Sequence, residues 1–102
     1  MKLDDNLKSE DFAVDTGSTS CVVLVTKNRI YCANAGDSRA VLYSGGKIFE
    51  LSHDHKPDNQ QEQDRIEKAG HMVEDQRVDG NLALSRAFGD YQYKDQRNKT
   101  PD

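Results

Sequence analysis

Residues 21–51, CVVLVTKNRIYCANAGDSRAVLYSGGKIFEL, decide the fold class. Residues 21–25 form an unbroken run rich in β-branched side chains, the pattern of a strand buried on both faces. Lys27-Asn28-Arg29 offers a tight turn in which Asn28 can take positive φ, and residues 30–35 read as the returning strand. Gly36-Asp37 breaks that strand before residues 40–43 start another. Ser44-Gly45-Gly46-Lys47 is a hairpin turn, because both glycines tolerate positive φ, and residues 48–51 supply its partner. Four short strands joined by short turns predict an antiparallel meander.

A turn about Asn28 sets Cys21 opposite Ala35 and Cys32 opposite Leu24. In that register the two sulfurs do not face one another, so two buried free thiols in a reducing compartment are expected, with a disulfide as the alternative.

On the N-terminal side, residues 1–16 are acidic, with only Leu3, Leu7, Phe12 and Val14 as sizeable apolar side chains. They read as the end of a helix or as a frayed lead-in. On the C-terminal side, a polar loop containing Pro57 runs into Asn59-Gln60-Gln61-Glu62, a capping-box pattern that starts a helix. The helix is expected to run to Ala69 and stop at Gly70. Its apolar face is little more than Ile66 and Ala69, with Asp64 and Lys68 paired on the wet side, so it must lie on a surface. Met72-Val73 and Arg77-Val78 suggest a second short hairpin, with Asp79-Gly80 as a turn. Residues 82–88 carry enough apolar positions for about two helical turns ending at Gly89. Residues 95–102 are a polar tail.

The 102 residues are only 34% apolar and carry a formal charge of −4. So polar a small chain builds a thin core and normally depends on a disulfide, a metal, a partner or more of its own sequence. Lysines and arginines are scattered, which argues against nucleic acid as a partner. No apolar run approaches the ~18 residues of a membrane span, and the first ten residues lack a signal-peptide core. The expectation is an intracellular protein, cytoplasmic or nuclear.

Three groups of residues could carry chemistry. Gly36-Asp37-Ser38-Arg39 sets a carboxylate at a strand break, where it could bind a hard cation or simply cap the turn and pair with Arg39. His53 and His55 would point the same way from an extended segment, as a zinc pair lacking two ligands or as imidazoles that satisfy nearby backbone. Ser18 and Ser85 have no nucleophile-elbow pattern around them.

In order along the chain, Gly17-Ser18-Thr19, residues 34–42 (NAGDSRAVL) and Asp54-His55-Lys56-Pro57 resemble successive signature stretches of the type 2C metal-dependent serine/threonine protein phosphatases. Glu62, Arg65-Ile66, Ala69-Gly70 and Val73 are similar to the next block. Arg77-Val78, Gly80, Leu82-Ala83, Ser85-Arg86-Ala87 and Gly89-Asp90 continue the resemblance. It implies an α+β fold, a portion of a β-sandwich flanked by antiparallel helices, with residues 17–94 as the central part of the catalytic domain. Strands 20–51 would belong to the sandwich, and residues 58–90 to the flap side of the active site.

The resemblance also implies hydrolysis of phosphoserine and phosphothreonine in protein substrates by a water activated on Mg²⁺ or Mn²⁺, in an enzyme that is a monomer at full length. Asp37 is the one position that matches a metal-associated family aspartate, linked with a third ion beside the binuclear pair. The family's Asp-Gly-His-Gly-Gly stretch, phosphate-binding arginine and later metal carboxylates are absent. No catalytic residue is therefore assigned, and the chain is expected to be an incomplete catalytic domain, inactive alone. Alternatives are a non-catalytic interaction module derived from that family, or a small metal-binding domain built on Asp37, His53 and His55. Arg39, Arg77, Arg86 and Asp90 match family positions and read as structural. His71 replaces a family glycine and would be strained if that position needs positive φ.

Overall fold

The structure is a computed structural model, and it describes residues 2–94. Helix α1 (Lys2–Leu7) and a 3-10 turn (Asp11–Ala13) lead to β1 (Gly17–Ser18), β2 (Ser20–Val25) and β3 (Ile30–Ala35). Then come β4 (Val41–Ser44), β5 (Lys47–Glu50), α2 (Gln60–Lys68), β6 (Val73–Glu74), β7 (Arg77–Val78), β8 (Phe88–Gly89) and a 3-10 turn at Tyr91–Tyr93. The architecture is mixed α/β with antiparallel strands. No helix among the described residues is long and apolar enough to cross a membrane.

The expected four-stranded meander is replaced by two separate hairpins, β2–β3 and β4–β5; the two remaining ladders are β1–β8 and β6–β7. Gly36-Asp37 does more than break a strand. It turns the chain out of β3 so far that β4 does not pair with it.

In the first hairpin Val25 pairs with Ile30, leaving the four-residue turn Thr26–Arg29. Thr26 Oγ1 both donates to Arg29 O and accepts from Arg29 N, which closes the turn without positive φ at Asn28. The register is one residue away from expectation: Cys21 faces Asn34 and Cys32 faces Val23. The β4–β5 turn behaves as its sequence predicts, with Gly45 at φ +58° and Gly46 at +77°.

Burial does not follow the apolar pattern of these strands. Val22, Leu24 and Val25 in β2 are 58%, 59% and 69% exposed, because no second layer among the described residues packs on the hairpin. The buried apolar side chains, Ala13, Ile66, Val78 and Ala87, gather instead around α2, the second short hairpin and the β1–β8 ladder.

Helix α2 starts at Asn59 as predicted, but the capping box does not form. The Asn59 side chain donates to Asp54 O, and Glu62 turns inward. Asp64 accepts from Gln60 rather than pairing with Lys68. At the C-terminus Gly70 takes φ +89°, and His71 N donates to Ile66 O. The left-handed residue is thus Gly70, and His71 carries no such strain.

The hairpin β6–β7 turns at Asp75-Gln76, both left-handed (φ 50° and 62°). Asp79-Gly80 makes the next turn, which brings Leu82 back against Val78. The helix expected over 82–88 is absent. Its backbone is drawn into tertiary bonds instead: Ser85 N donates to His55 O, and Phe88–Gly89 pairs with Gly17–Ser18. Long-range partners outbid an apolar spacing that supplied only two turns of helix. The polar tail at 95–102 lies outside the described residues.

Candidate functional site

Asp37 sits where β3 ends, in a loop sewn to residues 53–56. His55 N donates to Gly36 O at 2.9 Å, and Gly36 N donates to His55 Nδ1 at 3.1 Å. This reciprocal pair fixes His55 as an acceptor at Nδ1, the neutral tautomer protonated on Nε2. Asn34 Nδ2 donates to Gly36 O and His53 O, leaving its buried Oδ1 without a partner among the described residues.

Pairing Gly36 with His55 sets the next residues side by side. Lys56 Nζ donates to Asp37 Oδ2 at 2.8 Å, and this hydrogen bond holds the ammonium's pKa above its ordinary value. Arg39 grips Asp54 with two parallel bonds of 2.8 and 2.9 Å, which hold that carboxyl below the usual range. The expected Asp37–Arg39 partnership is therefore split into two: Asp37 with Lys56, Arg39 with Asp54.

A second cluster ties α2 to the loop after Leu82. Glu62 accepts from both Arg86 Nε and Nη2 at 2.9 Å, from Ser85 Oγ at 2.7 Å and from Arg65 Nη2 at 3.1 Å. Burial by itself would raise the Glu62 pKa. The bonds from Arg86 and Ser85 and the charges of Arg86 and Arg65 outweigh it and pull the pKa down to about 2. Ser85 is thereby a donor to a carboxylate and not a nucleophile with a base.

The proposed zinc pair does not assemble. His55 is engaged by Gly36, whereas the His53 side chain is 90% exposed, with its Nδ1 3.8 Å from Glu50 Oε2. Arg86 bonds to Glu62 on α2, and Arg77 donates to Asn81 O four residues along its own loop.

Three features were not read from the sequence. Lys56 lies nineteen residues from Asp37, and only the Gly36–His55 pairing joins them. Asp4, 1% exposed, accepts from Gly89 N and Lys94 Nζ at 2.7 Å and so docks α1 on β8. His71 Nδ1 lies 2.7 Å from Asp79 Oδ2, while Met72 N donates to Asp79 Oδ1; that backbone bond first, and the imidazole after it, keep the Asp79 pKa low.

Asp37 offers the oxygen chemistry that Mg²⁺ or Mn²⁺ prefers. By itself it is one carboxylate, already paired with an ammonium, and no group of three or more His, Cys, Asp or Glu that could hold a metal comes together among the described residues.

The family model for protein phosphatase 2C matches residues 1–102. Protein phosphatase ppm-1.G of Caenorhabditis elegans is 58% identical over 80 residues, covering 78% of this chain and 16% of that protein. Probable protein phosphatase 2C 6 of Paramecium tetraurelia is 51% identical over 92 residues, covering 90% of this chain and 31% of that protein. A crystal structure of a phosphatase from Toxoplasma gondii superposes with a TM-score of 0.61 at 32% identity, over 87% of this chain and 39% of the other. The chain therefore spans between about a sixth and two fifths of the proteins it matches. The stitched Asp37 loop and the Glu62 clamp are built from the same stretches that carried the family resemblance, and with the match along all 102 residues they show that the chain belongs to the protein phosphatase 2C family.

Proposed function

We propose that these residues serve as the central part of a protein serine/threonine phosphatase that uses Mg²⁺ or Mn²⁺ to hydrolyse phosphoserine and phosphothreonine in protein substrates. The observation that carries this reading is the Asp37 loop, a carboxylate held at a strand end by the reciprocal Gly36–His55 pair. In this reading Asp37 gives one ligand to a metal centre whose other carboxylates lie outside the described residues. When bound, the metals would supply an activated water and neutralise phosphoryl charge.

The chain's own residues do the positioning. His55 sets the backbone at Gly36, and Lys56 holds Asp37 Oδ2 and keeps the carboxylate aimed. Glu62, with Arg65 and Arg86, fastens α2 to the loop that runs back to β1. The β2–β3 and β4–β5 hairpins belong to a sandwich completed by further strands, in an intracellular enzyme that acts as a monomer.

The test has two arms. The 102-residue chain with Mn²⁺ should release no phosphate from a phosphothreonine peptide; turnover there would show that the absent carboxylates are dispensable. In a longer protein that carries them, Asp37→Asn should lower Mn²⁺-dependent turnover about tenfold or more. Unchanged turnover over a Mn²⁺ titration would remove Asp37 from the metal centre.

A further inference from the structure

Cys21 and Cys32 share one face of the β2–β3 hairpin. Cys21 faces Asn34 and Cys32 faces Val23, so the cysteines are diagonal neighbours on adjacent strands. Side chains that stand on one face alternate along each strand, and the right-handed twist of a two-stranded ribbon closes one of the two diagonals. Both thiols are free and half-buried, less exposed than Val22 and Leu24 on the opposite face. They also sense each other. The Cys32 thiol is pushed up by burial and then by hydrogen bonding and charge from Cys21. The register itself makes the two thiols neighbours across the ladder.

We propose that Cys21 and Cys32 form a reversible dithiol–disulfide site that staples β2 to β3 when the protein meets a peroxide. The Cys21 thiolate attacks one peroxide oxygen: an S–O bond forms, the O–O bond breaks and hydroxide leaves, giving a sulfenic acid. The Cys32 sulfur gives up its proton and attacks the Cys21 sulfur, forming the S–S bond as the S–O bond breaks and the oxygen departs as water. Two thiols are oxidised and one peroxide is reduced to two waters. A small-molecule thiol reverses the step by exchange. The staple would act next to the Asp37 loop, because Asn34, which faces Cys21, carries the amide that holds Gly36 O and His53 O.

Trypsin separates the two cysteines, since it cuts at Lys8, Lys27, Arg29 and Arg39. The full chain is treated with dilute hydrogen peroxide, capped with iodoacetamide and digested without reductant. The expected product is peptide 9–27 joined to peptide 30–39, lighter by two hydrogens than the sum of the free peptides and separated by dithiothreitol. Its formation should be independent of protein concentration and about fivefold faster in buffer than in urea, because the folded ladder holds the pair ready. Recovery of both peptides capped, oxidation to sulfinic acids without pairing, cross-linking only between chains, or an equal rate in urea would each overturn the proposal.

Discussion

Glu62 keeps its charge inside the protein because four N–H and O–H groups converge on it, and that arrangement sets a pH dependence. Its folded pKa of about 2 lies below the ordinary 4.5, so the unfolded chain binds the proton more readily. The contribution to stability is therefore full above about pH 4.5 and disappears as pH falls toward 2. Allowing for solvent screening, it is on the order of 2 kcal/mol. Urea melts of Glu62→Gln should show a loss of that size at pH 7 and little difference from wild type near pH 2; equal stability at pH 7 would mean that the clamp is idle. Asp4 is a second buried carboxylate with long-range partners, at the other end of the chain. Asp4→Ala leaves Gly89 N and Lys94 Nζ without their acceptor and should cost about 3 kcal/mol by thermal melting, with the loss of protection at β1 and β8 read by amide exchange. Neither residue stood out by spacing. Glu62 looked like a capping-box glutamate and Asp4 like one more acid in a polar lead-in. Only their long-range partners give them these roles.

At the scale of elements, two glycines with similar backbone angles differ in what surrounds them. Gly45 has φ +58° and nothing within 4 Å of a Cβ placed there, whereas at Gly89, φ +76°, a Cβ would strike Thr16 O and the Gly17 backbone. Gly45→Ala should cost only the left-handed strain, about 1 kcal/mol, and leave β4–β5 intact by amide exchange. Gly89→Ala must separate β8 from β1, and should remove the cross-strand contacts seen by NMR between residues 17 and 89. A β1–β8 ladder that survives in Gly89→Ala would show that the close approach is not required. The hairpin turn at 44–47 and the start of α2 were legible because turn and cap chemistry is local. The segment 82–88 was not, because its apolar spacing fits a helix while its backbone groups find better partners in His55, Arg65 and β1.

The whole molecule is elongated, with a radius of gyration of 15.4 Å against about 13 Å for a compact domain of this size. Its two larger hairpins expose Val22, Leu24, Tyr43, Ile48 and Phe49, and among the described residues their strands have free edges. The isolated chain should therefore bind an apolar dye such as ANS and self-associate as concentration rises, with a broad melting transition. A sharp cooperative melt of a monomer in sedimentation analysis would contradict this. Residue type and short-range spacing were enough to set the strands of the three hairpins, the two-glycine turn, the start and stop of α2 and the family. Tertiary structure alone decided that Asp37 meets Lys56, that Arg39 goes to Asp54, that Glu62 and Asp4 are buried anions and that Cys21 and Cys32 share a face. Each of these depends on which distant backbone segments exchange hydrogen bonds, and a shift of one residue in a β register moves every side chain to the other side.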